Sequence, residues 1–265
     1  MIGDPQTSPC DSRQIAITVE GVEKAYRSGS ASTPVLKGID LSVRRGECVY
    51  LAGPSGSGKT TLLSILGCIL SADAGRVQIL DEDIFSLSSR KRTSLRLNRL
   101  GFVFQRFHLI RGLNTIQNVC VPLMLRGVRP AVARKRALSL LEAVGLAEKV
   151  DVHPRNLSAG QCQRVALARA LVGEPELVLA DEPTASLDAA NGQEVMKLFR
   201  SLTTQEGKTV VLVTHDQRIF RFADRVFWLE NGRVVETKET LHSAQDIGEN
   251  EKTLHSAPDA GKNGE

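Results

Sequence analysis

Residues 15–26, IAITVEGVEKAY, alternate apolar and polar side chains with the two-residue period of a half-buried strand. VLKGIDLSV at 35–43 alternates in the same way beyond a Gly/Ser stretch, so the two segments predict an antiparallel pair around a loop. Three later runs differ. CVYLAG (48–53), ELVLAD (176–181) and TVVLVTH (209–215) are short and almost continuously apolar, as expected of parallel strands buried on both faces. Between the first two lies a charge-rich region, about 88–170, too long for a loop in a compact domain and therefore expected to be an inserted α-helical subdomain. Within it Ala137, Leu140, Leu141 and Val144 form one apolar face, stopped by Gly145. RVFWLENGRVVE at 225–236 sets Asn-Gly between apolar runs, a hairpin signal. The pattern predicts an α/β chain: a loose polar end over 1–13, one domain over 14–236 with an antiparallel β subdomain, and a polar, disordered tail over 237–265.

Composition narrows this little. With 42% apolar and 24% charged residues the 265-residue chain has the make-up of a folded globular protein, and a formal charge of +4 does not by itself imply a nucleic-acid or membrane partner. Cys10, Cys48, Cys68, Cys120 and Cys162 form no CxxC pair and suit reduced thiols. The apolar run LLSILGCIL at 62–70 is too short for a bilayer span, and the first residues lack the pattern of a signal peptide. His242 and His255 fall in a duplicated TLHSA string of the tail and are read as solvated residues rather than metal ligands.

The chemistry enters at GPSGSGKT. Gly53, Pro54, Ser55, Gly56, Ser57, Gly58, Lys59 and Thr60 match the phosphate-loop spacing in full, and Thr61 begins the helix beyond. The glycines allow successive backbone N–H groups to point inward at phosphate oxygens, Lys59 adds a point charge, and Thr60 can place its hydroxyl on Mg²⁺. ELVLADEPTASLD then ends an apolar strand in two carboxylates, where open α/β sheets bind ligands. Asp181 is the expected Mg²⁺ partner, and Glu182, ahead of Pro183, can turn toward a terminal phosphate and act on the attacking water. His215 ends another strand and could contact the terminal phosphate or hold the same water; alone, a histidine there is more often a surface or capping residue. Gln105, in GFVFQRFHL, offers an amide oxygen to Mg²⁺ or water. LSAGQ at 157–161 has the spacing of a capping box, Ser158 with Gln161, ahead of an apolar helix.

The order of phosphate loop, Gln105, LSAGQ, ADEPTASLD and VTHD resembles the ABC ATPase family over about residues 14–236. The resemblance implies a P-loop NTPase core of ABC ATPase type that binds ATP and Mg²⁺. It also implies a homodimer in which two ATP molecules are sandwiched, Ser158, Gly160 and Gln161 of one chain facing the phosphate loop of the other. Leu187 and Asp188 match the loop that links the two sites, and Tyr26, 27 positions before Gly53, matches the aromatic on which adenine stacks; Tyr50 is the rival, but lies in a buried strand. Ala159 departs from the more usual glycine and still supplies its N–H.

Residues 101–123 and LVLADEPTASLD look like the MacB, LolD and DevA branch, and the LSAGQ spelling leans toward DevA-like subunits. This implies a subunit at the cytoplasmic face of the inner membrane that drives export through a separate polytopic permease, with a periplasmic membrane-fusion adaptor as a further partner. FtsE-like division proteins and importers share much of the same text and are the alternative. A soluble ABC ATPase acting on nucleic acid is the other class. The cluster Arg90, Lys91, Arg92, Arg96 and Arg99 reads instead as a solvated helix face, so no nucleic acid is expected.

Overall fold

The computed structural model describes residues 15–29 and 31–239. The expectations for residues 1–13, Cys10, the TLHSA strings and their histidines lie outside the described residues.

Strands β1 (Ile15–Ser28) and β2 (Ala31–Arg44) pair antiparallel, and β4 (Ala74–Ile79) and β5 (Glu82–Asp83) complete an antiparallel sheet of order β2-β1-β4-β5. The second sheet has the order β10-β9-β3-β8-β7-β6, built from β3 (Cys48–Ala52), β6 (Leu100–Val103), β7 (Leu177–Asp181), β8 (Thr209–Val213), β9 (Arg225–Glu230) and β10 (Arg233–Glu239). Its first five strands in chain order are parallel, and only β10 runs antiparallel.

Alternation along the parallel strands assigns each face a separate core. Val49, Leu51, Leu177, Leu179, Val211 and Val213 pack with the antiparallel sheet and with helix α1 (Lys59–Leu66). Their neighbours Tyr50, Ala52, Val178, Ala180, Val210 and Leu212 pack with α3 (Thr115–Leu125), α4 (Pro130–Ala143), α5 (Ala159–Leu171) and α6 (Ala189–Gln205). Both faces of the sheet are therefore dry, which is why these strands read as continuous apolar runs.

The helices end where local chemistry ends them. Asn114 caps α3 and Ser158 caps α5, each through a complete capping box. Pro130 starts α4 at a position where its missing N–H costs nothing. Gly145, at φ 70, closes the α4 region after Val144; Ala137, Leu141 and Val144 are buried there as the periodicity predicts.

Two boundaries differ from the sequence expectation. The region 88–170 is not wholly helical: after α2 (Ser89–Arg99) the chain passes through β6, an edge strand of the parallel sheet. Four residues are too few to show a period against a helical background. The domain also does not stop at 236, because β10 continues with Thr237, Lys238 and Glu239 paired to Phe227, Val226 and Arg225. These residues are exposed, so an edge strand with no buried face carries no alternation. The Asn-Gly turn is present, with Asn231 and Gly232 both at positive φ. Among the described cysteines, Cys48, Cys68, Cys120 and Cys162 are free and buried.

The basic cluster of α2 is more than a solvated face. Arg92 donates to the Leu87 carbonyl, Arg96 to that of Cys68, and Arg99 to that of Leu80 while pairing with Glu176 at 2.6 Å. These arginines tie α2 to its surroundings.

Gly101 sets how closely β6 lies on α5. A Cβ there would come within 2.5 Å of the Ala170 carbonyl oxygen, a rigid backbone atom. Gly101→Ala should therefore cost about 1–3 kcal/mol of stability through overpacking. The check is urea unfolding, where a lower midpoint at unchanged slope is expected.

Candidate nucleotide site

β3 delivers its chain to the edge of the sheet as Gly53, whose φ of 139 only glycine adopts readily. An added Cβ would also collide with the Leu229 carbonyl of β9, so the loop is seated directly on its neighbour strand. The loop closes with Ser57 N–H donating to the Pro54 carbonyl at 3.3 Å, and Gly58, at φ 104, caps α1. Lys59 is buried and folds back over the loop, its Nζ donating to the carbonyls of Gly53 at 2.9 Å and Pro54 at 2.8 Å. Burial lowers the Lys59 pKa, against the opposing pull of the Glu182 and Asp181 carboxylates. Pro54, Ser55 and Gly56 form the exposed rim between these anchors, with Ser57 buried beneath.

Asp181 ends β7 beside this loop, and the Thr60 hydroxyl donates to its Oδ1 at 3.2 Å. Burial raises the Asp181 pKa, while the Thr60 hydrogen bond acts in the other direction. A hydroxyl and a carboxylate side by side are hard oxygen donors suited to Mg²⁺. Among the described residues no group of three or more His, Cys, Asp or Glu side chains could hold a metal. A cation here would complete its shell with phosphate and water oxygens, as Mg²⁺ does in phosphate sites.

Glu182 follows at φ 48, a left-handed conformation for a non-glycine residue, with its N–H on the Val213 carbonyl at 2.9 Å. The turn sends its carboxylate to His215, whose Nδ1 lies 2.8 Å from Oε1 and 2.6 Å from Oε2. The sequence pointed to each residue separately; strand order makes them a pair, because β7 and β8 are neighbours with Asp181 opposite Val213.

Gln105 is exposed just beyond β6, at the same sheet edge. Its carbonyl accepts from Ser186 Oγ at 3.4 Å, linking the loop to the segment after Glu182. Next come Phe107 and His108, two consecutive residues at positive φ. Their carbonyls accept from Arg169 of α5, each at 2.7 Å. Arg169 holds this loop and was not singled out from sequence; an arginine inside a helical run gives no hint of a partner some 60 positions away.

Tyr26 is 48% exposed on β1, its hydroxyl 3.4 Å from that of Thr61 on α1. Tyr50 is fully buried in the helical core, edge-on to Phe220. Only Tyr26 of the two can present a ring to a ligand. Ser158 and Gln161 complete the α5 capping box, the Ser158 hydroxyl accepting from Gln161 N–H at 3.2 Å and the Gln161 side chain from Ser158 N–H at 3.0 Å. Gly160 lies near Asn191, whose own partner is Asp188, the N-cap of α6. Among the described residues, no hydrogen bond joins LSAGQ to residues 53–61 of the same chain. Strand order thus brings the phosphate loop, Asp181, Glu182, His215 and Gln105 to one edge of the sheet.

The model of the family described as ABC transporter matches residues 36–185. This chain belongs to the ABC transporter family. Its domain is an ABC ATPase cassette. It is 41% identical over 220 residues to the lipoprotein-releasing system ATP-binding protein LolD of Shewanella sp., covering 83% of this chain and 95% of that one. It is 42% identical over 219 residues to the macrolide export ATP-binding/permease protein MacB of Bartonella henselae, covering 83% of this chain but 33% of that protein. The chain therefore spans about a third of the length of the MacB relative. A solved structure of the ATP-binding cassette MJ0796, dimeric and bound to ADP and Pi in a post-hydrolysis state, superposes with a TM-score of 0.80 at 38% identity, covering 86% of this chain and 100% of that one. Among the described residues no helix is long and apolar enough to cross a membrane.

Two outcomes are expected from this geometry. Glu182→Gln should retain ATP binding but slow hydrolysis roughly 10²- to 10⁴-fold, the usual loss for a general base, in steady-state assays of purified protein; unchanged turnover would remove Glu182 from catalysis. Tyr26→Ala should weaken ATP binding by about 1–3 kcal/mol if adenine stacks there. Nucleotide titration checks this, and weakening by Tyr50→Phe but not by Tyr26→Ala would reassign the stack.

Proposed function

We propose that the chain is the motor of an exporter: it closes as a head-to-tail homodimer around two ATP molecules at the cytoplasmic face of the inner membrane and drives a separate polytopic permease. The observation that carries the catalytic half is the Glu182–His215 pair beside Thr60 and Asp181. Backbone N–H groups of residues 55–60 and the Lys59 side chain hold the phosphates, and Thr60, Asp181 and Gln105 are the residues to hold Mg²⁺, which supplies charge neutralisation there when bound. Water attacks the γ-phosphorus, the bond to the β–γ bridging oxygen breaks, and the proton released by the water passes to the Glu182 carboxylate, oriented by His215.

The dimeric half is supported by the exposed start of α5, which makes no hydrogen bond to its own phosphate loop, and by the dimeric MJ0796 cassette. Ser158 and the N–H of Gly160 sit at a helix N-terminus, a ready anion site, and would take the γ-phosphate of the ATP bound by the partner, with Gln161 completing the capping box beside them. Export rather than import is favoured by the likeness to MacB, and an adaptor partner by the DevA-like spelling of the signature.

Two defective variants test the shared sites. Lys59→Ala removes a phosphate contact, and Ser158→Arg places a long cation where a small hydroxyl is needed. In a linked dimer of one with the other, one site has both defects and the second joins two intact halves. With Glu182→Gln in both halves, occlusion of labelled ATP is expected in the mixed linked dimer and in neither linked parent. No occlusion in the mixed dimer, while an otherwise unmutated linked control occludes, rejects the shared arrangement.

A further inference from the structure

Strand β1 outruns the strand that flanks it. Its ladder with β4 ends at the pair Glu23–Ala74, where β4 begins, yet β1 continues to Ser28. On its other side the ladder with β2 shifts register between Lys24 and Ala25, and the residue opposite Ala25 is Pro34, which has no N–H to donate. Just before Tyr26 the strand is therefore short of support on both edges.

Asp73, the residue ahead of β4, supplies what the ladder lacks. Its N–H donates to the Glu23 carbonyl at 2.9 Å, and its carboxylate accepts from the Ala25 N–H at 2.8 Å and from Lys24 Nζ at 2.7 Å. A side-chain oxygen thus carries the pairing of β1 past the end of β4. Lys24, and after it the Ala25 N–H, hold the Asp73 carboxyl below its usual range. Asp73 is exposed, so the ion pair with Lys24 contributes little in water, and the grip on the chain comes from the backbone N–H.

One helix connects this grip to the phosphate loop. α1 starts at Lys59 in that loop, carries Thr61 with its hydroxyl 3.4 Å from that of Tyr26, and leads through a short turn to Asp73. The backbone beside Tyr26 is thus held by the segment after α1, and the tip of its ring faces the first turn of α1.

We propose that Asp73 is a positioning residue for the nucleotide base: by holding Ala25 it fixes the Tyr26 ring at the distance from the phosphate loop at which adenine can stack. The proposal rests on Tyr26 being the stacking aromatic. Asp73 itself touches neither the phosphates nor the attacking water. Without it the end of β1 is loosened, and the ring has to be ordered at the expense of binding. The resulting defect is confined to ligands that carry a base.

The test compares ADP with inorganic pyrophosphate, the same two phosphates with and without the nucleoside, as competitive inhibitors of ATP turnover by the full chain. Asp73→Ala and Asp73→Ser, whose side chains are too short to reach Ala25, should raise the KM for ATP and the inhibition constant of ADP by one common factor. That factor is roughly 3- to 10-fold, part of what loss of a whole stack brings, with kcat and pyrophosphate inhibition unchanged. Asp73→Asn, which keeps an oxygen for the Ala25 N–H, should recover most of the loss. In a Tyr26→Ala background, Asp73→Ala should change nothing further. Unchanged ADP inhibition in the Asp73 variants, beside a defect in Tyr26→Ala, would overturn the proposal and leave the stack in place. An equal rise for ADP and pyrophosphate would mark a disturbed phosphate loop and overturn it too, as would a further loss in the Tyr26→Ala background or no recovery by Asp73→Asn. If Tyr26→Ala itself left ADP inhibition unchanged, the stacking assignment would fall and the positioning role with it.

Discussion

From Cys48 to Ala52 every side chain of β3 is buried, and its backbone is paired on one edge to β8 and on the other to β9. A strand in that position cannot present a side chain to water or to a ligand, and even the hydroxyl of Tyr50 is buried there without a hydrogen-bond partner among the described residues. Its chemistry has to appear where the strand stops. Because β6, β7, β8 and β3 run in the same direction, their carboxyl ends bring Gln105, Asp181 with Glu182, His215 and the loop from Gly53 to one edge of the sheet. The antiparallel sheet and the helices meet the rest of the constraint by keeping the two faces dry.

At that edge, burial acts against both signs of charge. It lowers the pKa of Lys59 and raises that of Asp181, and each is partly compensated by the other. Lys59 meanwhile rests on the loop's own carbonyls, and Glu182 on His215, so neither side chain must be ordered from disorder when a ligand arrives.

Arginines do two kinds of work in the helical region. Arg126 joins the end of α3 to the carbonyls of Leu97 and Gly173, and Arg169 holds the two left-handed residues after Gln105. Both have pKa values lowered by burial, the mark of guanidinium groups removed from water to satisfy backbone carbonyls. Others, such as Arg134 and Lys135, stay exposed. Composition counts the two kinds alike, which is why the modest net charge said nothing about where cations are displayed.

What the sequence determined by itself is whatever has a local cause. Strands buried on two faces give apolar runs, the phosphate loop needs its glycines within eight consecutive positions, and the Ser158–Gln161 capping box closes within one helical turn. What only the tertiary structure decided is contact between distant segments: β6 as a sheet edge inside a helical region, the pairing of Glu182 with His215 across 33 positions, and Arg169 on the loop after Gln105. Strand order and helix packing set these meetings, and neither leaves a period or a spacing in the chain. Even β10 beyond Glu236 was invisible for this reason, since an edge strand is held by its neighbour's backbone and not by its own side chains.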